Sequence, residues 1–429
     1  MLRLPRPRVR PAPIAFVLAG LVTMSIGCPP TSAQPAAPAA APAKATAKAD
    51  VDAARRRLDA MGAGAKCVVD DAGRLMEIAI EDGSDVTADD VALFGRLADL
   101  KSLRILNCRT FDDGQVTQLA GLSGLTTLAL TNSGITDEGV QAIAQAFPGL
   151  VELDLSSNTN MTGAALKSIA GLAGLKRLLL VQNRFNDLNT RRLAKLQALE
   201  AVDLRGNMEA GDMTLEVVGA LPALRSLKHR STAVTDQGLE RLAAAANLES
   251  LLMQDFGITS SSGSHLAKLG KLTSLEVFRC QGFGSEGALA LAGMPLTRLT
   301  LRDLPDMGDD GLAVVGKLPQ LRKLYLHELA SVGDAGIAHV AGAKELELLD
   351  IWSLPRLTDA SLATIAALPN LKELSIRETG VTEAAVERIL GMQNLKSLTF
   401  KNNGAVSKES AAKLAARKWS KLDLGGAEK

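Results

Sequence analysis

Residues 125–130 read Leu125-Thr126-Thr127-Leu128-Ala129-Leu130, and residues 135–143 read Ile135-Thr136-Asp137-Glu138-Gly139-Val140-Gln141-Ala142-Ile143. The two pieces obey different periods. Leu128 and Leu130 alternate with their neighbours, which predicts a short strand with one face buried. Ile135, Val140 and Ile143 have helical spacing. Thr136 suits a helix N-cap, and Asp137 and Glu138 suit the positive end of the helix dipole.

The same two-part phrase runs through most of the chain. Its apolar starts read as Leu75, Leu103, Leu125, Leu150, Leu175, Leu199, Leu224, Leu248, Leu275, Leu296, Leu321, Leu346, Leu371, Leu395 and Trp419. They recur about every 24 residues, inside the range of repeats built from one strand and one helix. The helical half returns as Val234-Thr235-Asp236-Gln237-Gly238-Leu239 and as Leu357-Thr358-Asp359-Ala360-Ser361-Leu362. Pro148, Pro222, Pro319 and Pro369 follow the helices, where a helix has already ended. One such unit cannot bury its apolar face alone. Stacked units can, with parallel strands on one side and helices on the other. Helices need about 10 Å of spacing and strands about 4.8 Å, so the stack curves with its sheet inside.

Residues 75–424 resemble a leucine-rich repeat protein. The Ile-Thr-Asp-x-Gly phrase is similar to the subclass with full helices, seen beside F-box domains and in ribonuclease-inhibitor-like horseshoes. Similar arrays occur in exported bacterial proteins. The resemblance implies an α/β solenoid with a concave parallel sheet and convex helices. It implies binding of a protein or peptide partner rather than catalysis. No F-box-like segment precedes the repeats. An export signal also argues against a ubiquitin-ligase role.

Composition agrees with a layered core. Of 429 residues 70 are Leu, while only nine are Phe, two Trp and one Tyr, so small aliphatic layers replace one ring-filled core. Net charge is +1, which gives no basis for nucleic acid as the main partner. Four Cys in a chain this long exclude a disulfide-built scaffold.

The first fifty residues read as an address and a tether. Arg3, Arg6, Arg8 and Arg10 precede an apolar run from Ile14 to Ile26, as in a signal peptide. Ser25-Ile26-Gly27-Cys28 resembles a bacterial lipoprotein processing site, which would lipidate Cys28. The alternative is cleavage after Thr31-Ser32-Ala33, leaving a soluble mature chain. The expected divisions are a signal segment at 1–28, a Pro/Ala-rich linker at 29–49, a helix-and-hairpin cap at 50–74 and the array at 75–429. Membrane contact is expected only through the lipid.

Alternation along the strands selects a candidate site. Arg279, Arg302, Tyr325, His327, Asp350, Trp352 and Arg377 are expected to face outward on neighbouring strands. Tyr, Trp and Arg carry much of the energy of protein recognition. The competing account is a solvated sheet face, where strand propensity alone favours such rings. Tyr325 and Trp352 could instead stack on sugar rings, which makes a cell-wall or extracellular polysaccharide the alternative ligand. An enzyme using the Asp, His and Arg of this face is a third reading.

Other chemistry is not indicated. The four His residues share no metal-ligand spacing, so no metal or cofactor is expected. His229 occupies a core position and reads as a buried, satisfied ring. Cys108 and Cys280 occupy inward positions too distant to pair, while a Cys67–Cys108 approach is left open. Asp303, Asp306, Asp309 and Asp310 lack EF-hand spacing and read as helix-start acids. Ser260-Ser261-Ser262-Gly263-Ser264 lacks a nucleophile elbow.

Overall fold

The computed structural model describes residues 46–404 and 406–425. The expected signal segment, Cys28 and nearly all of the expected linker lie outside these residues. The described part begins with helix α1 (Lys48–Met61), which starts inside the stretch expected to be linker. Sixteen strands follow in one open sheet whose spatial order is its sequence order. They are β1 (Ala65–Val69), β2 (Leu75–Ile80), β3 (Ser102–Ile105), β4 (Thr127–Leu130), β5 (Glu152–Asp154), β6 (Arg177–Leu179), β7 (Ala201–Asp203) and β8 (Ser226–Arg230). The rest are β9 (Ser250–Gln254), β10 (Ser274–Phe278), β11 (Arg298–Arg302), β12 (Lys323–His327), β13 (Leu348–Trp352), β14 (Glu373–Arg377), β15 (Ser397–Lys401) and β16 (Lys421–Asp423). The first pair is antiparallel and every later pair is parallel. From β2 to β15 each strand is followed by a short α- or 3-10 helix, so the fold is an α/β leucine-rich repeat solenoid.

From β2 to β15 each strand buries the second and third positions of its phrase, while Leu422 and Leu424 of the last repeat are only half-buried. Leu128, Leu130, Leu324, Leu326, Leu349 and Ile351 have no exposed surface. Each such burial stabilises by about 1.5–3 kcal/mol before chain entropy is subtracted. Two residues beyond the third apolar position the chain turns through the left-handed region. There φ runs from 49° at Asn132 to 82° at Gly206, and non-glycine residues occupy most repeats. The conformation is compensated by a hydrogen bond to the next layer. For example, the amides of Asp303, Glu328 and Ser353 donate to the carbonyls of His327, Trp352 and Arg377.

Register corrects two of the expected starts. Leu103 pairs with Leu128, and Leu275 pairs with Leu251, both second positions of the phrase. The true first positions are Leu100 and Leu272. Cys108 and Cys280 therefore stand three residues beyond the third apolar position. Asn158, Asn183 and Asn207 fill that place elsewhere, fully buried, and donate to carbonyls of their own and the preceding layer. The Cys108 thiol replaces that amide with contacts to the Ile105 and Thr131 carbonyls. Burial pushes both thiols up to about 12. Cys67, Cys108 and Cys280 are all free, so the Cys67–Cys108 pairing left open by the sequence is not made.

The Thr-Asp phrase does more than start a helix. The Thr136 hydroxyl caps its own helix by accepting from the Glu138 amide. Its amide also donates to Asp113 of the preceding repeat at 2.9 Å. Asp137 in turn accepts from the Thr162 amide at 2.8 Å, Asp212 from Thr235 at 2.7 Å and Asp359 from Thr382 at 2.8 Å. At Gly139 the approach is close enough that a Cβ would run into the Asp113 carboxylate, whereas Ala165 and Ser262 hold the same place in other repeats. Asp309 makes the same contacts, to the Gly333 and Gly336 amides. The expectation that it is a helix-start acid is thereby sharpened into a bond between layers.

The two ends are closed unequally. Helix α1 buries Val51, Ala54 and Leu58, and its Arg57 forks Asp90 at 2.7 and 3.0 Å. At the other end the helix Lys408–Ala416 buries only Leu414. Trp419 Nε1 donates to the Leu414 carbonyl at 2.6 Å.

Candidate recognition surface

The outward positions of β10 to β15 form aligned rows across the sheet. One row runs Phe278, Arg302, His327, Trp352, Arg377 and Lys401. A second holds Thr300, Tyr325, Asp350 and Ser375. The structure thus brings together six of the seven expected residues: Arg302, Tyr325, His327, Asp350, Trp352 and Arg377.

Arg279 is the exception. It occupies the left-handed turn after β10, with φ of 50°, and Phe278 takes the outward strand position instead. A slip of three residues is odd, and an odd slip exchanges the faces of a strand. Phe278, which a start at Leu275 would turn inward, is therefore half-buried on the outer face. Arg279 remains close, with its guanidinium carbon 4.6 Å from the Phe278 ring centroid and Nε 2.6 Å from Asp255 Oδ1.

The rings and guanidinium groups interleave. Arg302 lies between Phe278, at 4.2 Å, and Trp352, at 5.3 Å, measured to the ring centroids. Arg377 approaches the same Trp352 at 5.6 Å, and Arg298 lies 4.6 Å from the Tyr325 centroid. His327 meets Trp352 edge-on, with centroids 5.7 Å apart, and meets Tyr325 at 6.1 Å. Cation–ring contacts of this kind each contribute about 0.5–2 kcal/mol according to desolvation.

Asp350 is the electrostatic centre of the cluster. Burial raises its pKa, but hydrogen bonds from His327, Ser375 and Arg377 outweigh burial and hold the carboxyl down to about 2. His327 Nε2 lies 3.1 Å from Oδ2, and Arg377 Nη2 reaches both oxygens at 3.0 and 3.1 Å. Burial also raises the pKa of the Tyr325 hydroxyl. Next to this group, Tyr325, Leu348, Asp350, Ser375, Thr399 and Asp423 help line a shallow depression of about 340 Å³. His327, Ser375 and Arg377 are thus committed to holding the Asp350 carboxylate in place.

No grouping of three or more His, Cys, Asp or Glu able to hold a metal ion occurs among the described residues. His229 is fully buried on the core side. Its Nε2 lies 2.7 Å from the Ala210 carbonyl and its Nδ1 3.2 Å from that of Leu204.

Sequence and fold comparisons place the fold in a known class. The leucine-rich repeat family model matches residues 124–144 and 271–292. An internalin from Listeria monocytogenes shares the fold, with a TM-score of 0.50 and 19% identity over 88% of this chain and 95% of its own. A leucine-rich repeat protein of Leptospira interrogans also has a TM-score of 0.50, with 20% identity over 78% of this chain and 80% of its own. Among curated proteins none matches the chain. The chain carries leucine-rich repeats and has the leucine-rich repeat fold. Arrays of this class typically serve as binding scaffolds, with extended sheet faces as the contact surface.

Proposed function

We propose that the chain is a non-catalytic scaffold that recognises a protein or peptide on the outer face of β10 to β14. The interleaved cluster of Phe278, Arg302, Tyr325, His327, Trp352 and Arg377 carries this reading. Half-buried rings grouped with arginines on an otherwise Leu-built solenoid are what a binding hot spot requires. The side chains are already braced by one another, so little ordering entropy is lost when a partner arrives. Phe278 joins the proposed contact residues, and Arg279 acts from the turn beside them.

The scaffold is proposed to work outside the cytoplasm, from the signal-like segment at 1–28. The N-terminus is tethered by a lipid on Cys28 or freed by cleavage after Ala33. No helix among the described residues is long and apolar enough to cross a membrane. Mass measurement of the mature N-terminus separates the two outcomes.

The recognition reading is tested by affinity capture from an envelope extract with the wild-type chain and with Tyr325→Ala/Trp352→Ala. Partners of the sheet face should be depleted at least about tenfold from the double variant. An identical capture profile from a folded double variant would overturn the assignment of the face. Binding on a glycan array that Trp352→Ala abolishes would replace protein by polysaccharide.

A further inference from the structure

We infer that the partner presents an acidic side chain to the outer face of β11 and β12, and that Arg302 and Arg298 grip it. This rests on the sheet-face reading above and specifies the chemistry of its partner.

Strand β11 turns Arg298, Thr300 and Arg302 to the same face. Arg302 Nε donates to Glu328 Oε2 at 2.7 Å, and the guanidinium is flanked by Phe278 and Trp352. Its two terminal nitrogens have no acceptor among the described residues. The side chain is only 32% exposed, so those donors are both held in place and partly desolvated. Arg298 lies over Tyr325 and has no acceptor among the described residues. Lys323, its register partner on β12, has none either. Between the two arginines, Thr300 is 5% exposed and its hydroxyl has no hydrogen-bond partner. Buried polar groups are seldom left unpaired. Three cations with unused donors therefore stand on one stretch of face, beside a buried hydroxyl that lacks a partner.

The rings sharpen the choice of ligand. The arginines of this chain already occupy positions against Tyr325, Phe278 and Trp352, so a cationic guest would meet guanidinium groups rather than open rings. A carboxylate would instead complete charge-assisted bonds to donors that are already positioned. The surroundings limit its extent. Glu276 on β10 and Glu373 on β14 have no cation partner among the described residues, and they bracket the basic stretch. A long acidic tract would be repelled at both sides, whereas one or two carboxylates over β11 and β12 fit.

The test uses the full-length chain as bait for a random-peptide display library, followed by affinity and salt-titration measurements on the selected peptides. Wild-type selections should be enriched in peptides with one or two Asp or Glu. Arg302→Gln should weaken these about ten- to a hundredfold, and Arg298→Gln less. Selected peptides should also bind more weakly as salt rises. Neutral or basic peptides that lose binding on Trp352→Ala but not on Arg302→Gln would overturn the acidic anchor and leave the sheet-face reading standing. Peptides that bind Arg302→Gln and Tyr325→Ala/Trp352→Ala as tightly as wild type would overturn both. A library that yields no binder counts against both as well.

Discussion

His229 stands where nearly every other repeat places Leu, Ile or Val, and its ring is sealed between the Leu204 and Ala210 carbonyls. Burial lowers its pKa below the ordinary value, against the two carbonyl contacts, which raise it. The folded state therefore prefers the neutral ring. Below about pH 6.5 the unfolded chain takes up a proton that the folded chain resists, so stability falls as pH drops through that value. Wild type should lose melting temperature between about pH 7 and pH 5, and His229→Leu should lose less over the same interval. Equal slopes in a pH series of thermal melts would remove His229 as the cause. Asp350 titrates in a different window. Its carboxyl is held at about 2, so the stability from its contacts is complete above the unfolded value near 3.9 and disappears on further acidification. The buried setting of His229 was legible in the sequence, because the repeat turns position 229 inward whatever residue stands there. The pairing of His327 and Arg377 on Asp350 was not, since the repeat supplies neighbours but no side-chain rotamers.

Between residue and molecule, the repeated element owes its shape to bonds that leave it. Asp236 accepts from the Thr259 amide at 3.0 Å, from the Thr259 hydroxyl at 2.7 Å and from the Ser262 hydroxyl, all in the next repeat. Burial raises the Asp236 pKa, yet hydrogen bonds from Ser262 and Thr259 prevail and hold it below its ordinary value. Asp236→Ala should destabilise the array by about 2–3 kcal/mol in urea unfolding at neutral pH. The difference from wild type should shrink as pH falls through the lowered pKa and the carboxylate is lost. A variant within about 0.5 kcal/mol of wild type would show that the ladder is incidental. The Thr-Asp phrase was visible in the sequence, but only its capping half could be read there, because the other half needs the neighbouring layer. The register of β3 and β10 was misread for a related reason. Cys108 and Cys280 imitate the third apolar residue, so Leu103-x-x-Leu106-x-Cys108 and Leu275-x-x-Phe278-x-Cys280 satisfy the same phrase as the true one. The error exchanged Phe278 with Arg279 and left the other strands of the face intact.

Across the whole molecule the layers are joined mainly to their neighbours, with a few side chains such as Arg104 and Arg302 reaching one layer further. That local wiring made the fold legible from spacing alone. It gave no view of the ligand, because the outer face is the part that the spacing leaves free to vary. It also sets how the chain responds to load. The N-terminal end is buttressed by α1 with its three buried residues and the Arg57–Asp90 fork, whereas the last helix buries Leu414 alone and is otherwise held by exposed contacts such as Lys413–Glu387. A pull between the ends of the array should therefore peel it from the C-terminus, one layer at a time. Single-molecule stretching should record rips of about 24 residues, each near 80 Å of released contour at about 3.4 Å per residue. A single rip of the whole array would contradict this order. If the chain is tethered at its N-terminus, as proposed, β11 to β14 lie toward the end that yields first. A partner gripping that face would then staple the weak end closed, and the array would act as a strain gauge whose slack is taken up by what it holds.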